Sequence, residues 1–321
     1  MSDDPSPLHE GEIALQRRAG VHERMLPMAR RVIRDFMPDQ HREFFAQLPT
    51  LVVGGFDAEL RPAATMLCGE PGFVHAPDPR SLHIELHGAA ADDPVLPTLA
   101  PGSRLGVLGL QPQTRRRNRM NGIVVARDAR HVAVAVEQSF GNCPQYIQAR
   151  EPRARPGVAA ASRRGGALLD AALVALVERA DTFFIASAAA PPGGLGGPTR
   201  GVDVSHRGGR PGFVRCAAVD GRSVLTVPDY AGNNLFMTLG NLALNPACGL
   251  LFVDYDSGDL LHVRARGVVL WDDARVRPLP GAQRVLELTV EASLWRPAAL
   301  PLRWTPPEFP AATPAAVSDR A

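Results

Sequence analysis

Hydrophobic positions along the chain fall into many short runs separated by glycine- and proline-rich turns. From His9 to about Phe36 the pattern is helical, and Asp39 is placed to cap a short helix over Gln40–Gln47. Strands are expected at Thr50–Gly55, Leu60–Leu67, Gly72–His75 and Ser81–Leu86, with a helical turn at Pro94–Leu99. The unbroken apolar run Leu105–Leu110 reads as a buried strand, and Ile123–Ala126 as another. Val132, Val134 and Val136 alternate with polar or small residues, the period of a half-buried strand over His131–Gln138. Beyond Pro152–Gly166 a helical spacing (Leu168, Leu169, Ala172, Leu173, Leu176) covers Ala167–Arg179. Strands follow at Asp181–Ser187, Val202–Ser205, Phe213–Ala217 and Ser223–Val227. A helix is predicted at Asn234–Leu244. Further strands are predicted at Gly249–Tyr255, Leu260–Leu270, Gln283–Ala292 and Trp295–Trp304.

The same order of elements occurs twice, and short strings recur with it. Glu70-Pro-Gly-Phe-Val74 returns as Arg210-Pro-Gly-Phe-Val214, and Asp78-Pro-Arg-Ser-Leu82 as Asp220-Gly-Arg-Ser-Val224. Leu105-Gly-Val-Leu108 returns as Cys248-Gly-Leu-Leu251, and Asn121-Gly-Ile-Val-Val125 as Arg266-Gly-Val-Val-Leu270. Four matches in one order point to duplication. The expected architecture is mainly β with helices (α+β): a Greek-key-like antiparallel barrel occurring twice, the two copies packed as an intrachain pseudo-dimer. The divisions are an N-terminal helical segment 1–38 (its first eight residues disordered), a first barrel 39–150, a linker 151–166, a second barrel 167–304 and a disordered tail 305–321.

Composition narrows the chemistry. A net charge of +2 argues against a dedicated nucleic-acid or anionic-membrane surface, and no apolar run is long enough for a bilayer. All 35 basic residues are Arg. Without a lysine there is no Schiff-base cofactor and no P-loop, so any phosphate must be held by Arg, backbone N–H groups or hydroxyls. Four cysteines without Cys-x-x-Cys spacing, behind an acidic, polar N-terminus, suggest a reduced, cytoplasmic protein. No metal-ligand motif is present, and the glycines of 193–197 do not form a dinucleotide fingerprint.

The candidate chemistry gathers in copy two. Ser205, His206, Arg207 and Gly208 stand at a strand end, and Asp229, Asn233 and Asn234 at the start of a helix. Such groups suit a phosphate-bearing cofactor. Copy one has Pro62-Ala-Ala64 and Ala90-Ala-Asp-Asp93 at the corresponding places. A cleft between copies would draw its other wall from copy one. Arg117 and Arg119, from the run Arg115–Arg119, and Asn142, Gln145 and Gln148, from Phe140–Gln148, are the candidates there. Cys143 shows no sign of activation, and Cys68, Cys216 and Cys248 read as inert core residues. His206 is the first candidate for proton transfer. His9–Gln16 reads as the start of a surface helix, the alternative being a segment that closes over the site.

Five segments carry a family resemblance: His9-x-Gly-Glu-Ile-Ala-x-Gln16, Arg115-Arg-Arg-Asn-Arg-Met-Asn-Gly122, Ser139-Phe-Gly-Asn-Cys-Pro-Gln-Tyr-Ile-Gln148, Arg200-Gly-Val-Asp-Val-Ser-His-Arg-Gly-Gly209 and Asp229-Tyr-x-Gly-Asn-Asn234. The chain resembles, over about residues 9–304, the pyridoxamine 5′-phosphate oxidase-like flavin-binding split-barrel superfamily, in its tandem branch. The resemblance implies two FMN-binding split β-barrels with FMN bound non-covalently at their interface. It also implies electron or hydride transfer with a small-molecule substrate, NAD(P)H or O2 being the other reactant. F420 and haem are alternatives on the same barrel. The rival functions are a haem-binding protein and a non-catalytic flavin carrier or sensor. A homodimer is compatible with all of them. Where members carry an Arg after Gly-Asn-Asn, this chain has Leu235, so another Arg must supply that charge.

Overall fold

The computed structural model describes residues 6–87, 91–155, 160–190, 197–271 and 274–314. The helical N-terminal stretch is two helices, α1 (Glu10–Arg18) and α2 (His22–Val32), divided at Gly20, whose φ of 68° suits glycine. Helix α3 (Asp39–Ala46) precedes β1 (Thr50–Phe56), β2 (Pro62–Cys68), β3 (Val74–His75) and β4 (Ser81–Glu85). A 3-10 turn at Leu96–Thr98 leads to β5 (Arg104–Gln111), β6 (Arg116–Arg127) and β7 (His131–Gly141). The arginine run is therefore part of a long strand, where its charge alternates between faces, and not a loop before one. The expected linker contains two short strands, β8 (Pro152–Ala154) and β9 (Arg163–Gly165). Copy two then provides α4 (Ala171–Arg179), β10 (Thr182–Ala188), β11 (Val202–Gly208), β12 (Arg215–Val219), β13 (Arg222–Tyr230), α5 (Met237–Leu244), β14 (Ala247–Val253), β15 (Leu260–Leu270) and β16 (Ala282–Arg296). Strand β17 (Leu302–Trp304) pairs with β8. Most of the predicted glycine loop, 191–196, lies outside the described residues.

The duplication is visible in strand order. One sheet runs β2-β1-β5-β6-β7-β4-β3 and the other β11-β10-β14-β15-β16-β13-β12, the same path with each strand replaced by its counterpart. Every pairing is antiparallel. Neither path closes on itself, so the fold is mainly β with helices, each copy an open antiparallel sheet whose pairing does not complete a barrel. Pairing also corrects the repeat alignment. Gly106 pairs with Asn121, and its counterpart Gly249 with Arg264. A bulge follows Asn121 in one copy and Arg264 in the other. Asn121 thus matches Arg264, and Arg119 matches His262, two residues from where the Asn121–Val125 string match puts them. A bulge is inherited with the sheet, whereas a short apolar string recurs in any strand.

The copies meet back to back around a pseudo-twofold axis. A Cβ on Gly106 would overlap the Val202 carbonyl at the head of β11, and a Cβ on Gly249 would overlap the Pro62 carbonyl at the head of β2. The two glycines are equivalent, and so are the two carbonyls, as an isologous interface requires. Around them Val52, Ala64, Met66 and Leu108 of copy one pack on Phe184, Val202, Val204 and Leu251 of copy two, all buried. Each sheet also has its own core, centred on Phe45, Leu82 and Val107 in copy one and on Phe183, Phe252 and Leu286 in copy two.

The expected disordered ends are partly ordered. Leu8 is buried against Met25, Phe140 and Leu235, and Glu308 exchanges backbone hydrogen bonds with Ala149. Apolar contacts hold Leu8, and strand-like pairing holds residue 308. Residues 1–5 and 315–321 lie outside the description. Among the described residues no helix is long and apolar enough to cross a membrane.

Candidate functional site

A cleft opens between the copies on one side of the pseudo-twofold axis. It holds about 960 Å³, its open mouth included. Copy two supplies β11, the end of β13 and the loop 231–236 into α5; copy one supplies β6 and the turn after β7. Arg117 and Arg119 both reach the cleft because a strand returns to the same face every second residue.

Each arginine is held differently. Arg119 donates to Ser205 Oγ, to Asp203 Oδ1 at 3.4 Å and to Met237 Sδ at 3.0 Å, and its guanidinium lies over Phe140. Arg207 and Arg284 share Asp229, each at 2.7 Å. Arg117 donates to His206 Nδ1 at 3.0 Å. A guanidinium has no acceptor, so Nδ1 must be the unprotonated nitrogen and Nε2 the one carrying hydrogen. Burial, aided by Arg117, Arg207 and Arg150, holds His206 well below its usual range, so the ring is neutral. Burial also pushes Arg117 down to about 10, with Arg119 and Arg207 adding to the effect. Four guanidinium groups thus meet two carboxylates and a neutral imidazole.

The donors are also under-used. Arg117 Nε, Arg119 Nε, Arg207 Nε and Asn142 Nδ2 are buried without a hydrogen-bond partner among the described residues. Helix α5 has no side-chain cap, and Met237, Thr238 and Leu239 of its first turn line the cleft. Phe236 before it is left-handed (φ 64°), as is Asn234 (φ 58°). Unspent guanidinium hydrogens and an uncapped helix N-terminus are donor groups of the kind an anion requires. Tyr146 and Tyr230 add aromatic surface at the cleft, their ring centroids 5.1 Å apart.

The N-terminal motif braces this cleft from behind. His9 caps α1 through Nδ1, which accepts from Gly11 N at 3.1 Å, and its Nε2 donates to Asn241 Oδ1 at 3.0 Å. Glu12 completes the capping box by accepting from His9 N. Gly11 and Gly240 let α1 and α5 cross in contact: a Cβ on Gly240 would stand 2.7 Å from Glu12 N. Gln16 donates to the carbonyls of Asn234 and Leu235, in the loop that lines the cleft. The reading of 9–16 as a surface helix start is overturned, since His9, Glu12 and Gln16 are all buried. From Asn241 the network continues through Asp203 to Asn121 and Arg119. Burial, with Asp203 close by, holds Glu12 well above the carboxylate range.

Of the residues singled out from sequence, Ser205, His206, Arg207, Gly208, Asp229, Asn233, Asn234, Arg117, Arg119, Asn142 and Gln145 all line this one cleft. Gln148 does not. Its side chain is buried, donating to Gly209 O at 2.8 Å and accepting from Thr182, so it ties the turn to copy two. Asn233 does not cap α5. It accepts from Leu235 N in a local turn, and the helix starts at Met237, three residues later than predicted. Leu235 points into the apolar cluster with Leu8 and Phe140, and the charge at the cleft comes from Arg117, Arg119, Arg207 and Arg284. Arg284 was not visible in advance. The available signal was its place in β16 opposite Asp229, a pairing that only the sheet register reveals. Thr238, which donates to Ser205 Oγ at 2.8 Å, lay inside a predicted helix and carried no signal either. Cys143 lines the cleft; burial raises the thiol of Cys248 to about 12 and also raises Cys68 and Cys216, which suits inert side chains.

No family model matches the chain, and no curated protein matches it significantly. Solved structures show partial likeness. A histidine-to-alanine variant of HupZ from Group A Streptococcus aligns with 40% of this chain and 99% of its own, at 10% identity and a TM-score of 0.30. An FAD-binding protein from Mesorhizobium loti aligns with 42% of this chain and 97% of its own, at 15% identity and a TM-score of 0.26. A complex of K. pneumonia MrkH with c-di-GMP aligns with 76% of this chain and 78% of its own, at 11% identity and a TM-score of 0.21. Likeness at this level carries no functional argument.

Proposed function

We propose that the cleft binds FMN non-covalently and that the protein is a flavin-dependent oxidoreductase built from two tandem split barrels. The observation that carries this reading is the set of buried, unspent guanidinium hydrogens beside the uncapped start of α5. A phosphate monoester fits such a set: it offers several acceptor oxygens and a double negative charge. Arg117, Arg119, Arg207 and the first N–H groups of α5 would hold the phosphate. Tyr146, Tyr230 and Phe236 offer apolar surface to an aromatic ring system, and His206 Nε2–H and Asn142 Nδ2 offer donors to its heteroatoms. Bound flavin would supply the two-electron chemistry. The chain's own part is to bind, to orient and to exclude water. No residue here is positioned as a strong base, because His206 is held neutral with its proton on Nε2. His206 can donate a hydrogen bond at that atom, the role left for it in a reaction.

The haem reading turns on the same atom. Iron ligation through Nε2 would need the proton to leave that nitrogen. If it moved to Nδ1, the contact with Arg117 would be lost. The visible spectrum of the purified protein, before and after adding FMN or haemin, separates the two. A saturable flavin signal, released by heat and weakened by Arg207→Ala, is expected. A Soret band that His206→Ala abolishes, with no flavin uptake, would replace the flavin reading. Reduction of the bound flavin by NADPH in a rapid-mixing experiment then tests the oxidoreductase; a flavin that no nicotinamide and no oxygen touches would leave a carrier.

A further inference from the structure

A second cleft lies where the pseudo-twofold axis carries the first, and its chemistry is different. Strand register corrects the sequence alignment by three residues: Ser205, His206 and Arg207 of β11 correspond to Thr65, Met66 and Leu67 of β2, not to Pro62-Ala-Ala64, and Arg119 of β6 to His262 of β15; of these four counterparts only His262 lines the second cleft. The cationic wall is therefore gone. Two guanidinium groups at or beside this cleft are answered locally, and a third, the exposed Arg164, also lines it. Arg296 donates to Asp93 at 2.7 Å and pairs with Asp92, and Arg264 donates to Glu59 at 2.6 Å with Asp57 close by. Ala63, Ala64 and Ala292 lie on its lining where the other copy has Asp203, Val204 and Gln138, and the cleft holds about 910 Å³ with its mouth included.

His262 is the feature that needs an explanation. It lines the cleft and is only 6% exposed. Its Nδ1 lies 2.9 Å from the Ala64 carbonyl oxygen, which can only accept, so Nδ1 carries the hydrogen. Nε2 is left with a bare lone pair. It is buried and has no hydrogen-bond partner among the described residues. Burial holds the ring at about 4, so this lone pair persists at neutral pH. A buried acceptor left unmet is costly, and a well-packed protein seldom keeps one without use.

We propose that this second cleft is a binding site for a mostly apolar small molecule that presents one N–H or O–H donor to His262 Nε2. Just over half of the lining is alanine, proline and aliphatic side chains, which suits an apolar body. The lone pair requires a donor. Asp57, Glu59, Asp92 and Asp93 outnumber Arg164 and Arg264 on the lining, which favours a neutral ligand over a doubly charged phosphate. The site stands independently of what the first cleft binds.

Phenol and anisole are matched probes, because methylation removes the donor and little else. The full chain, labelled with nitrogen-15 at histidine, is titrated with each. Phenol is expected to move the His262 Nε2 resonance saturably and to bind about tenfold more tightly than anisole, the share of one neutral hydrogen bond. His262→Phe should abolish the difference. Should that variant fail to fold, Ala91→Trp serves: Ala91 is an exposed lining residue, and the indole would fill the cleft and prevent binding of both probes. Equal affinity for the two probes, an unmoved His262 resonance (an imidazole satisfied by water alone), or phenol binding that survives Ala91→Trp would each overturn the proposal.

Discussion

Under the proposed function, Arg117 is a side chain spent on binding and not on stability. It is half-buried beside Arg119 and Arg207, and its bonded partner is a neutral ring. Replacing it by Met should remove a charge-assisted contact to the ligand, worth roughly 1.5–3 kcal/mol, or about 10- to 100-fold in FMN affinity. The same change relieves repulsion among the arginines. The ligand-free variant should melt no lower than the parent, read by circular dichroism, while its flavin titration weakens. A variant that melts lower and binds FMN as well as the parent would show Arg117 to be structural.

Buried titratable groups give the molecule two opposed responses to pH. His206, His9, His41 and His262 are all held below the usual imidazole value of 6.5 by burial, His262 at about 4. Their native rings stay neutral where the unfolded chain takes up protons. This stability is present above 6.5 and is lost as pH falls from there towards 4. Glu12 works the other way. Its folded value is raised above 4.5, so its contribution is present in acid and lost as pH climbs through the raised value. Urea unfolding of Glu12→Gln should therefore equal or exceed the parent at alkaline pH and lose the advantage near pH 4, a crossing absent if Glu12 were an ordinary surface carboxylate.

At the scale of elements, the crossing of α1 and α5 governs the cleft from outside it. Gly240 and Gly11 allow the helices to touch, and Gln16 holds the loop 234–235. Gly240→Ala places a methyl against Glu12 backbone, where neither partner is a flexible side-chain tip. Overpacking of this kind costs about 1–3 kcal/mol. The expected result is a lower urea midpoint together with weaker FMN binding, because the displaced α1 releases the loop. Gln16→Leu should weaken binding with a smaller change in stability; equal effects of both variants on the two measurements would mean that the brace is not coupled to the cleft.

For the whole molecule, the pseudo-twofold axis poses a question of number. Two clefts are related by it, yet only the first has Arg117, Arg119 and Arg207 beside Ser205 and the uncapped helix. One FMN per chain is expected, from flavin absorbance against protein mass. A value of two would refute the division of labour between the clefts. Gly249→Val tests the axis itself: the added carbons would meet the Pro62 carbonyl and Ala63 backbone, so the copies must part.

How much of this was legible beforehand depends on the range of the interaction. Strand and helix identities followed from local periodicity, and most elements fell within a few residues of their expected places, as at Leu260–Leu270. The duplication was legible because strings such as Pro-Gly-Phe-Val are local too. The gathering of Arg117, Arg119, Ser205–Gly208 and Asn233 could be expected once two walls of one cleft were supposed, since each group is conspicuous where it stands. The rest depended on pairing. Register put Arg119 opposite His262 in the repeat, brought Arg284 beside Asp229, turned Leu235 into the core and buried His9 and Gln16 against α5. A one-residue change of register reverses every side chain in a strand, and no local pattern specifies it. The sequence by itself determined what the elements are and that they occur twice; the tertiary structure alone decided which side chains share a cleft, because those contacts span the chain and are selected by packing around the axis between its halves.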